Sequence, residues 1–576
     1  MKNIKEFVPL VNLLKKEKWK FIFFSILIFL VQASSIFTGY LNGAAVEEIT
    51  KLNLKKALLY LFVYFLYSVI IKGIISVVSG NELVKLETKL TRKIGYETYL
   101  KAINMPSYAY EEMSSGEVIN RITNDADMLS FTFRRLIEAL GEMFSAIILI
   151  FYIFYNSYII GLEIIILMFV LFLIMKYFNP KMEKAHKERK KEKDNFTSLV
   201  NESIKGVREI KTLGIKNNLL AEMNEIIDSL YKKNVVEINY NIKFTIFTKI
   251  VRVLMEVLVF VSCAILLYYN NITLTFFIAM TYYVYHFTYL IDSLTDLIQT
   301  YQKVAVALSR INEILLNKKF DDEKFGKKTL KDIKGEIELK NVYFSYPGEE
   351  NVLKNFNLKL EPNKKIAIVG KSGQGKSTLF NLLTRVFDVN EGEILIDGIN
   401  IKDLTEESLR KNISIIRQEP FIFHRTIKDN FKIVNPKVKV SDIKKYCKMA
   451  YLDDYIESLP NKYDTLLGEG GVNLSGGQKQ RLSIARTLTK NTKIILFDEA
   501  TSALDNNSQE YIKKTIDNLV KDHTVIIVAH RLSTIIDADI IYVVDDGKIV
   551  AKGNHKELLK ESKIYKNLYK TESLNS

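Results

Sequence analysis

Eight consecutive residues carry the sharpest chemical signal in this chain: Gly370-Lys371-Ser372-Gly373-Gln374-Gly375-Lys376-Ser377, with Thr378 next. The apolar run Lys365–Val369 precedes them and a helical pattern follows, so the order is strand, loop, helix. Glycines let successive backbone N–H groups close around phosphate oxygens, and the helix N-terminus adds the positive end of its dipole. Lys376 is spaced to reach the β- and γ-phosphates, and Ser377 to ligate Mg²⁺. Farther on, Ile494-Ile495-Leu496-Phe497-Asp498-Glu499 reads as a buried parallel strand ending in two acids. There Asp498 suits the metal and Glu499 suits the polarisation of an attacking water. Many apolar strands end in acids, so this pair gains its meaning only beside a phosphate loop.

Between the two lies Leu474-Ser475-Gly476-Gly477-Gln478, leading into the helical Lys479–Thr489. Ser475 is a good N-cap, and Gly476 and Gly477 open backbone N–H groups to an anion. An ordinary capped helix start would look similar. Residue for residue, however, Leu474–Gln478 resembles the signature motif of the ATP-binding cassette family. The resemblance then implies further roles. Tyr346 matches the aromatic that stacks on adenine, and Gln418 the glutamine that senses Mg²⁺ and contacts the membrane domain. Thr465–Gly471 is similar to the exporter loop that precedes the signature. Ser502-Ala503-Leu504-Asp505 matches the loop that communicates across the dimer, and His530 the switch histidine at the γ-phosphate. In the family, two cassettes sandwich two ATP molecules. Each site takes Lys376, Ser377, Asp498, Glu499 and His530 from one chain and Ser475 to Gln478 from the other.

The elements that position these residues fall into two unlike halves. With 576 residues the chain is too long for one domain, and 48% hydrophobic residues is an average over both halves. Long apolar runs crowd the first half: roughly Phe21–Tyr40, Ala57–Val78, Leu136–Tyr155, Ile159–Phe178, Phe247–Tyr269 and Leu274–Ile298. Each is close to the ~20 residues that cross a bilayer as a helix. The breaks after the third and fifth runs carry no lysine or arginine. The N-terminal segment has Lys15, Lys16, Lys18 and Lys20. The stretch 81–135 carries eight lysines and arginines, and 181–243 opens on a dense basic run from Lys184 to Lys193. The positive-inside rule places these three segments, and hence the N-terminus and the second half, on the cytoplasmic side. That placement accounts for much of the net charge of +15, so nucleic acid is not needed to explain it. Helical periodicity extends the spans well past the membrane. Residues 1–14 read as an interfacial helix with Trp19 at the headgroup boundary. No small-residue cleavage site follows the first apolar run, which argues against a cleaved signal peptide. The expected architecture is an all-α six-helix membrane domain over 1–316, a polar linker over 317–334, and an α/β cassette over 335–576. Cys263 and Cys447 read as two buried thiols, with neither zinc spacing nor a disulfide framework.

The resemblance extends to both cytoplasmic loops: Met105-Pro106, Glu111–Val118, Asn120-Arg121, Asp125 and Asp127 in the first, and Asn201-Glu202, Gly206 and Glu209-Ile210-Lys211 in the second. It implies ATP-driven export of a hydrophobic, amphipathic or peptide-like substrate, such as a lipid, drug or peptide. An ATP-gated channel or regulatory membrane ATPase is the alternative. Since every motif is intact, a homodimer is favoured over a heterodimer. On the last span Tyr282, Tyr285, Tyr289, Asp292, Asp296 and Gln299 recur at spacings of three and four, on one helix face. They suit a cavity wall for a cationic amphiphile, or else helix packing with a solvated inner end. Arg252 and Glu256, four apart, are placed to pair. The high Lys, Ile and Asn content points to an AT-rich bacterial source.

Overall fold

The computed structural model describes residues 17–113, 115–316, 323–371, 373–468, 471–499, 506–529 and 534–573. The N-terminal helix expected over 1–14 lies outside them. Two compact units emerge, one of residues 1–103 and 113–320 and one of 104–112 and 321–576.

The first unit is helical. Its long helices are α1 (Lys18–Thr50), α2 (Leu54–Ile103), α3 (Ser115–Asn156), α4 (Tyr158–Lys205), the short α5 (Val207–Leu213), α6 (Lys216–Tyr268) and α7 (Leu274–Leu315). Among the described residues α1, α2, α3, α4 and α6 are long and apolar enough to cross a membrane. The sixth expected span falls on α7, where part of the side chains lie outside the described residues.

Local signals explain the turns between helices. Asn53 caps α2 by accepting from the Lys56 N–H at 3.3 Å, and Thr273 caps α7 by accepting from Phe276 at 3.2 Å. The membrane-level core gathers Ile153, Ile160, Ile164, Met255, Val259, Phe276, Met280, Tyr283 and Phe287, drawn from α3, α4, α6 and α7. Their burial inside otherwise lipid-compatible helices fixes which faces meet. A second cluster, with Leu90, Ile94, Ala126, Leu129, Val304, Leu308 and Ile311, holds the extensions of α2, α3 and α7 together. Two π-helical turns interrupt the regular ladder, at Ser68–Ile75 and Arg121–Asp125.

The second unit is α/β. Strands β1 (Ile337–Phe344), β2 (Leu353–Leu360), β4 (Glu391–Ile396) and β5 (Ile399–Asn400) form an antiparallel sheet in the order β2-β1-β4-β5. A six-stranded sheet runs β10-β9-β3-β8-β7-β6. It is built from β3 (Lys365–Val369), β6 (Ile413–Ile416), β7 (Ile494–Asp498), β8 (Thr524–Val528), β9 (Ile540–Asp545) and β10 (Lys548–Gly553). All its pairings are parallel except β10 on β9.

The side-chain period of two sends Ala367, Val369, Ile495, Phe497, Val525 and Ile527 into one core. Ile366, Ile368, Ile494, Leu496, Ile526 and Val528 go into another. Both faces are covered, which is why these strands read as unbroken apolar runs. Part of the expected linker packs into this unit. Leu330 N–H donates to Ser408 Oγ at 2.8 Å, and the Arg385 guanidinium reaches the Lys324 carbonyl at 2.5 Å.

Candidate active site

Strands β3, β8, β7 and β6 are neighbours, and each ends at the same carboxyl edge. Phe497 pairs with Ile416, while Asp498 and Ile368 both pair with Val528. The phosphate loop follows β3, Asp498 closes β7 with Glu499 next, and Gln418 follows β6. Motifs more than a hundred residues apart in sequence thereby share one crevice, the usual location of ligands in an open α/β sheet.

Two glycines of the loop are dictated by geometry. A Cβ on Gly370 would lie 2.4 Å from the Val544 carbonyl oxygen. Gly375, the N-cap of helix α8 (Lys376–Leu383), has φ +84°, a left-handed conformation that favours glycine. Lys376 is buried, and its Nζ donates to the carbonyls of Gly370 at 2.8 Å and Lys371 at 2.6 Å. Burial pushes its pKa down, opposed by the Glu499 and Asp498 carboxylates. Ser377 Oγ donates to Asp498 Oδ1 at 3.2 Å. Burial raises the Asp498 carboxyl above the ordinary carboxylate range. The Ser377 hydrogen bond opposes the rise and Glu499 adds to it. Glu499 has φ +48°, and its N–H donates to the Val528 carbonyl at 2.9 Å. A non-glycine residue held there stores about 1–3 kcal/mol, a feature that clusters at functional sites.

Thr378 Oγ1 lies 3.1 Å from the Tyr346 hydroxyl, tying the aromatic to the start of α8. Tyr346 meets Phe387 edge-on at 5.2 Å and 88°, and Phe387 stacks on Tyr108 at 6.2 Å and 26°. The helix α9 (Gly476–Leu488) opens on a reciprocal capping box. Ser475 Oγ accepts from Gln478 N–H at 3.3 Å, and Gln478 Oε1 accepts from Ser475 N–H at 2.8 Å. Ser475 and Gly476 are exposed. Gln418 is exposed too, and its neighbour Arg417 accepts a hydrogen bond through its carbonyl from the buried Gln480 of α9 at 3.0 Å. The structure thus brings together Gly370, Lys371, Gly373, Gln374, Gly375, Lys376, Ser377 and Thr378 with Asp498, Glu499 and Tyr346. Ser372, Glu469, Gly470, Ser502, Ala503, Leu504, Asp505 and His530 lie outside the described residues. Phe387, Tyr108 and Gln480 escaped the sequence reading. Only Gln480, a polar side chain buried along with Leu482, Ser483 and Ile484 on α9, left a signal there.

On α7, Tyr282, Tyr285 and Tyr289 are 45%, 65% and 58% exposed, so they do not reach the buried core of this chain. Tyr283 does, at 2%, with its hydroxyl donating to the Ile36 carbonyl at 2.9 Å. The side chains of Asp292, Asp296 and Gln299 lie outside those described. Cys263 and Cys447 are free and buried.

The family described as the ABC transporter matches residues 353–502, and the ABC transporter transmembrane region matches residues 21–294. An ATP-dependent lipid A-core flippase of Haemophilus influenzae (strain KW20 / Rd) is 31% identical over 506 residues, 87% of this chain and 86% of its own. A Bacillus subtilis (strain 168) protein named for multidrug export is 33% identical over 470 residues, 81% of each chain. The solved structure of a bacterial Atm1-family ABC exporter with ATP bound is similar with a TM-score of 0.82. It covers 97% of this chain and 98% of that one at 22% identity, a likeness of fold.

Proposed function

Because this chain belongs to the ABC transporter family, as an exporter-type half-transporter with fused membrane and cassette parts, we propose that it moves an amphipathic lipid or drug-like substrate out across the bacterial cell membrane. ATP binding and hydrolysis drive that transport. The observation that carries the reading is the meeting of Lys376, Ser377, Asp498 and Glu499 at one sheet edge, fused to helices of bilayer-crossing length.

In this reading the loop N–H groups and Lys376 hold the phosphates, Tyr346 stacks on the base, and Glu499 takes the proton of the attacking water. Ser377 Oγ and Asp498 Oδ1, 3.2 Å apart, form a hard oxygen donor pair of the kind Mg²⁺ accepts alongside nucleotide phosphates. Bound there, Mg²⁺ would neutralise charge developing on the phosphates. Gln418 would sense that ion and His530 the γ-phosphate. A second copy of the chain would supply Ser475 to Gln478. The basic segments flanking the spans support a cytoplasmic cassette and N-terminus. Closing and reopening of the cassette pair would then alternate access between the two sides of the membrane.

Reconstitution tests the whole reading. In proteoliposomes with outward-facing cassettes, ATP should drive uptake of a fluorescent amphiphile, and Lys376→Ala should abolish it. ATP-dependent ion current without net amphiphile movement would overturn export.

A further inference from the structure

Helices α4 and α6 pack together along their cytoplasmic extensions, and there the pair neutralises charge internally. Glu183 meets Lys187 at 2.5 Å, Glu188 meets Lys233 at 2.7 Å, and Glu237 takes both Arg189 and, at 3.0 Å, His186. Nearer the membrane the pattern changes. Lys181 on α4 and Lys243 on α6 form no ion pair among the described residues, and Glu183 and Glu237, the nearest acids along each helix, are those already engaged. An aromatic seam brings the two lysines to one ring. Phe178 is buried and meets Phe244 and Phe247 of α6 at 6.1 and 5.7 Å between centroids, and Tyr177 edge-on at 5.1 Å. Tyr177 is 61% exposed. The Lys181 ammonium lies 3.6 Å from its ring centroid, and Lys243, across the seam, is within electrostatic reach of its hydroxyl. With the basic loops on the inner side, Lys181 lies twenty-three residues below Tyr158, at the outer end of α4, and Lys243 twenty-five below Tyr268, at the outer end of α6. At about 1.5 Å per residue both sit about 35–38 Å down, past a ~30 Å hydrocarbon core and within the ~40–45 Å that includes the headgroups. One to two turns above them Leu173, Ile246, Phe247 and Ile250 are exposed, as lipid-facing side chains are.

We propose that Lys181, Lys243 and Tyr177 hold the phosphate of an anionic phospholipid of the inner leaflet, with its acyl chains along Leu173, Ile246, Phe247 and Ile250. The two ammonium groups lack a counter-charge within the chain, and a phosphodiester at headgroup depth supplies it. The Tyr177 hydroxyl can donate to a phosphate oxygen. A zwitterionic lipid brings its own ammonium, which the two lysines repel. Free phosphate carries the charge but has no acyl chains to lay on the apolar side chains above. The occupant is thus a lipid of the surrounding bilayer, bound outside the path of any transported molecule.

The test reads quenching of a tryptophan by brominated lipids. Trp19 is the one tryptophan of the chain, so Trp19→Phe with Leu173→Trp leaves a single reporter beside the patch. The full chain is reconstituted in phosphatidylcholine vesicles with a rising fraction of brominated phosphatidylglycerol, and a parallel series uses brominated phosphatidylcholine. The reporter should show phosphatidylglycerol preferred about fivefold or more. Lys181→Gln with Lys243→Gln should bring that ratio to about one. Lys181→Arg with Lys243→Arg should keep it, which separates lost charge from misfolding. A reporter at Val77→Trp, exposed at a similar depth on α2, should show less than a twofold preference. Equal preference at both reporters would reduce the effect to general attraction by the basic loops and overturn the site. A ratio near one in the parent, or a ratio the glutamines leave unchanged, overturns it too. Inorganic phosphate at constant ionic strength should not alter the preference; if it abolishes it, the site takes free anions and the lipid assignment falls. Absence of quenching by either lipid would mean that a second copy of the chain covers this face, and the proposal fails.

Discussion

At the residue scale, the most informative side chain is Glu499, held at φ +48° where β7 ends. Its backbone strain persists because the Val528 carbonyl and the buried β7–β8 pairing fix the strand end. Replacing Glu499 by Gln keeps the shape and removes the proposed base. Turnover should fall about 10²–10³-fold while ATP affinity changes little, read as single-turnover hydrolysis beside equilibrium nucleotide binding. Near-normal turnover would remove Glu499 from that role.

Asp498 offers a test with a sign. Its pKa is raised by burial, so the folded state disfavours the ionised form. Stability from this group is full below the ordinary carboxylate pKa and is lost as pH rises through the raised folded value. At neutral pH the nucleotide-free protein therefore carries a cost that Asp498→Asn relieves. Melting should rise by about 1–3 °C in that variant, with hydrolysis lost. An unchanged or lower melting temperature would contradict the burial argument. Both acids were legible in the sequence as a strand end. The strain and the raised pKa were not, since they arise from pairing with β8, and from burial among groups distant in sequence.

At the element scale, β3 and β7 appear where the sequence placed them, because strands buried on both faces must be continuous apolar runs. Sheet order was not legible. β3 lies between β8 and β9, more than 150 residues downstream, and no local pattern encodes those parallel pairings. The two π-turns were equally silent, as was the Tyr346–Phe387–Tyr108 chain of rings, which depends on side chains brought together by folding. That chain has a consequence for binding. Phe387 braces Tyr346 edge-on, so Phe387→Ala frees the ring that would stack on adenine. The KM for ATP should rise about three- to tenfold with little change in kcat, since an aromatic pair contributes about 0.5–1.5 kcal/mol beyond burial. Phe387→Tyr should stay near wild type. A fall in kcat at unchanged KM would assign Phe387 to coupling rather than to nucleotide binding.

At the scale of the whole molecule, the chemistry is divided. The signature helix α9 is tied to the end of the strand before Gln418, through Gln480 and the Arg417 carbonyl. In its capping box the Ser475 and Gln478 side chains each accept from the other residue's backbone N–H, and the Gly476 N-terminus stays exposed. An anion for that helix end would come from a second copy, as the proposed homodimer supplies. Two defective chains can decide this. Lys376→Ala destroys phosphate binding, and Ser475→Arg blocks the signature, so each alone should give an inactive homodimer. In a heterodimer purified through two tags, one site carries both defects and the other is assembled from two intact halves. Sharing between chains predicts recovery of up to about half the wild-type ATPase. If each site were instead complete within one chain, the heterodimer would hold no intact site and recover nothing. The same tags on two wild-type copies test pairing directly. Failure to isolate an active doubly tagged pair would point to an unlike partner, with this chain as the intact member.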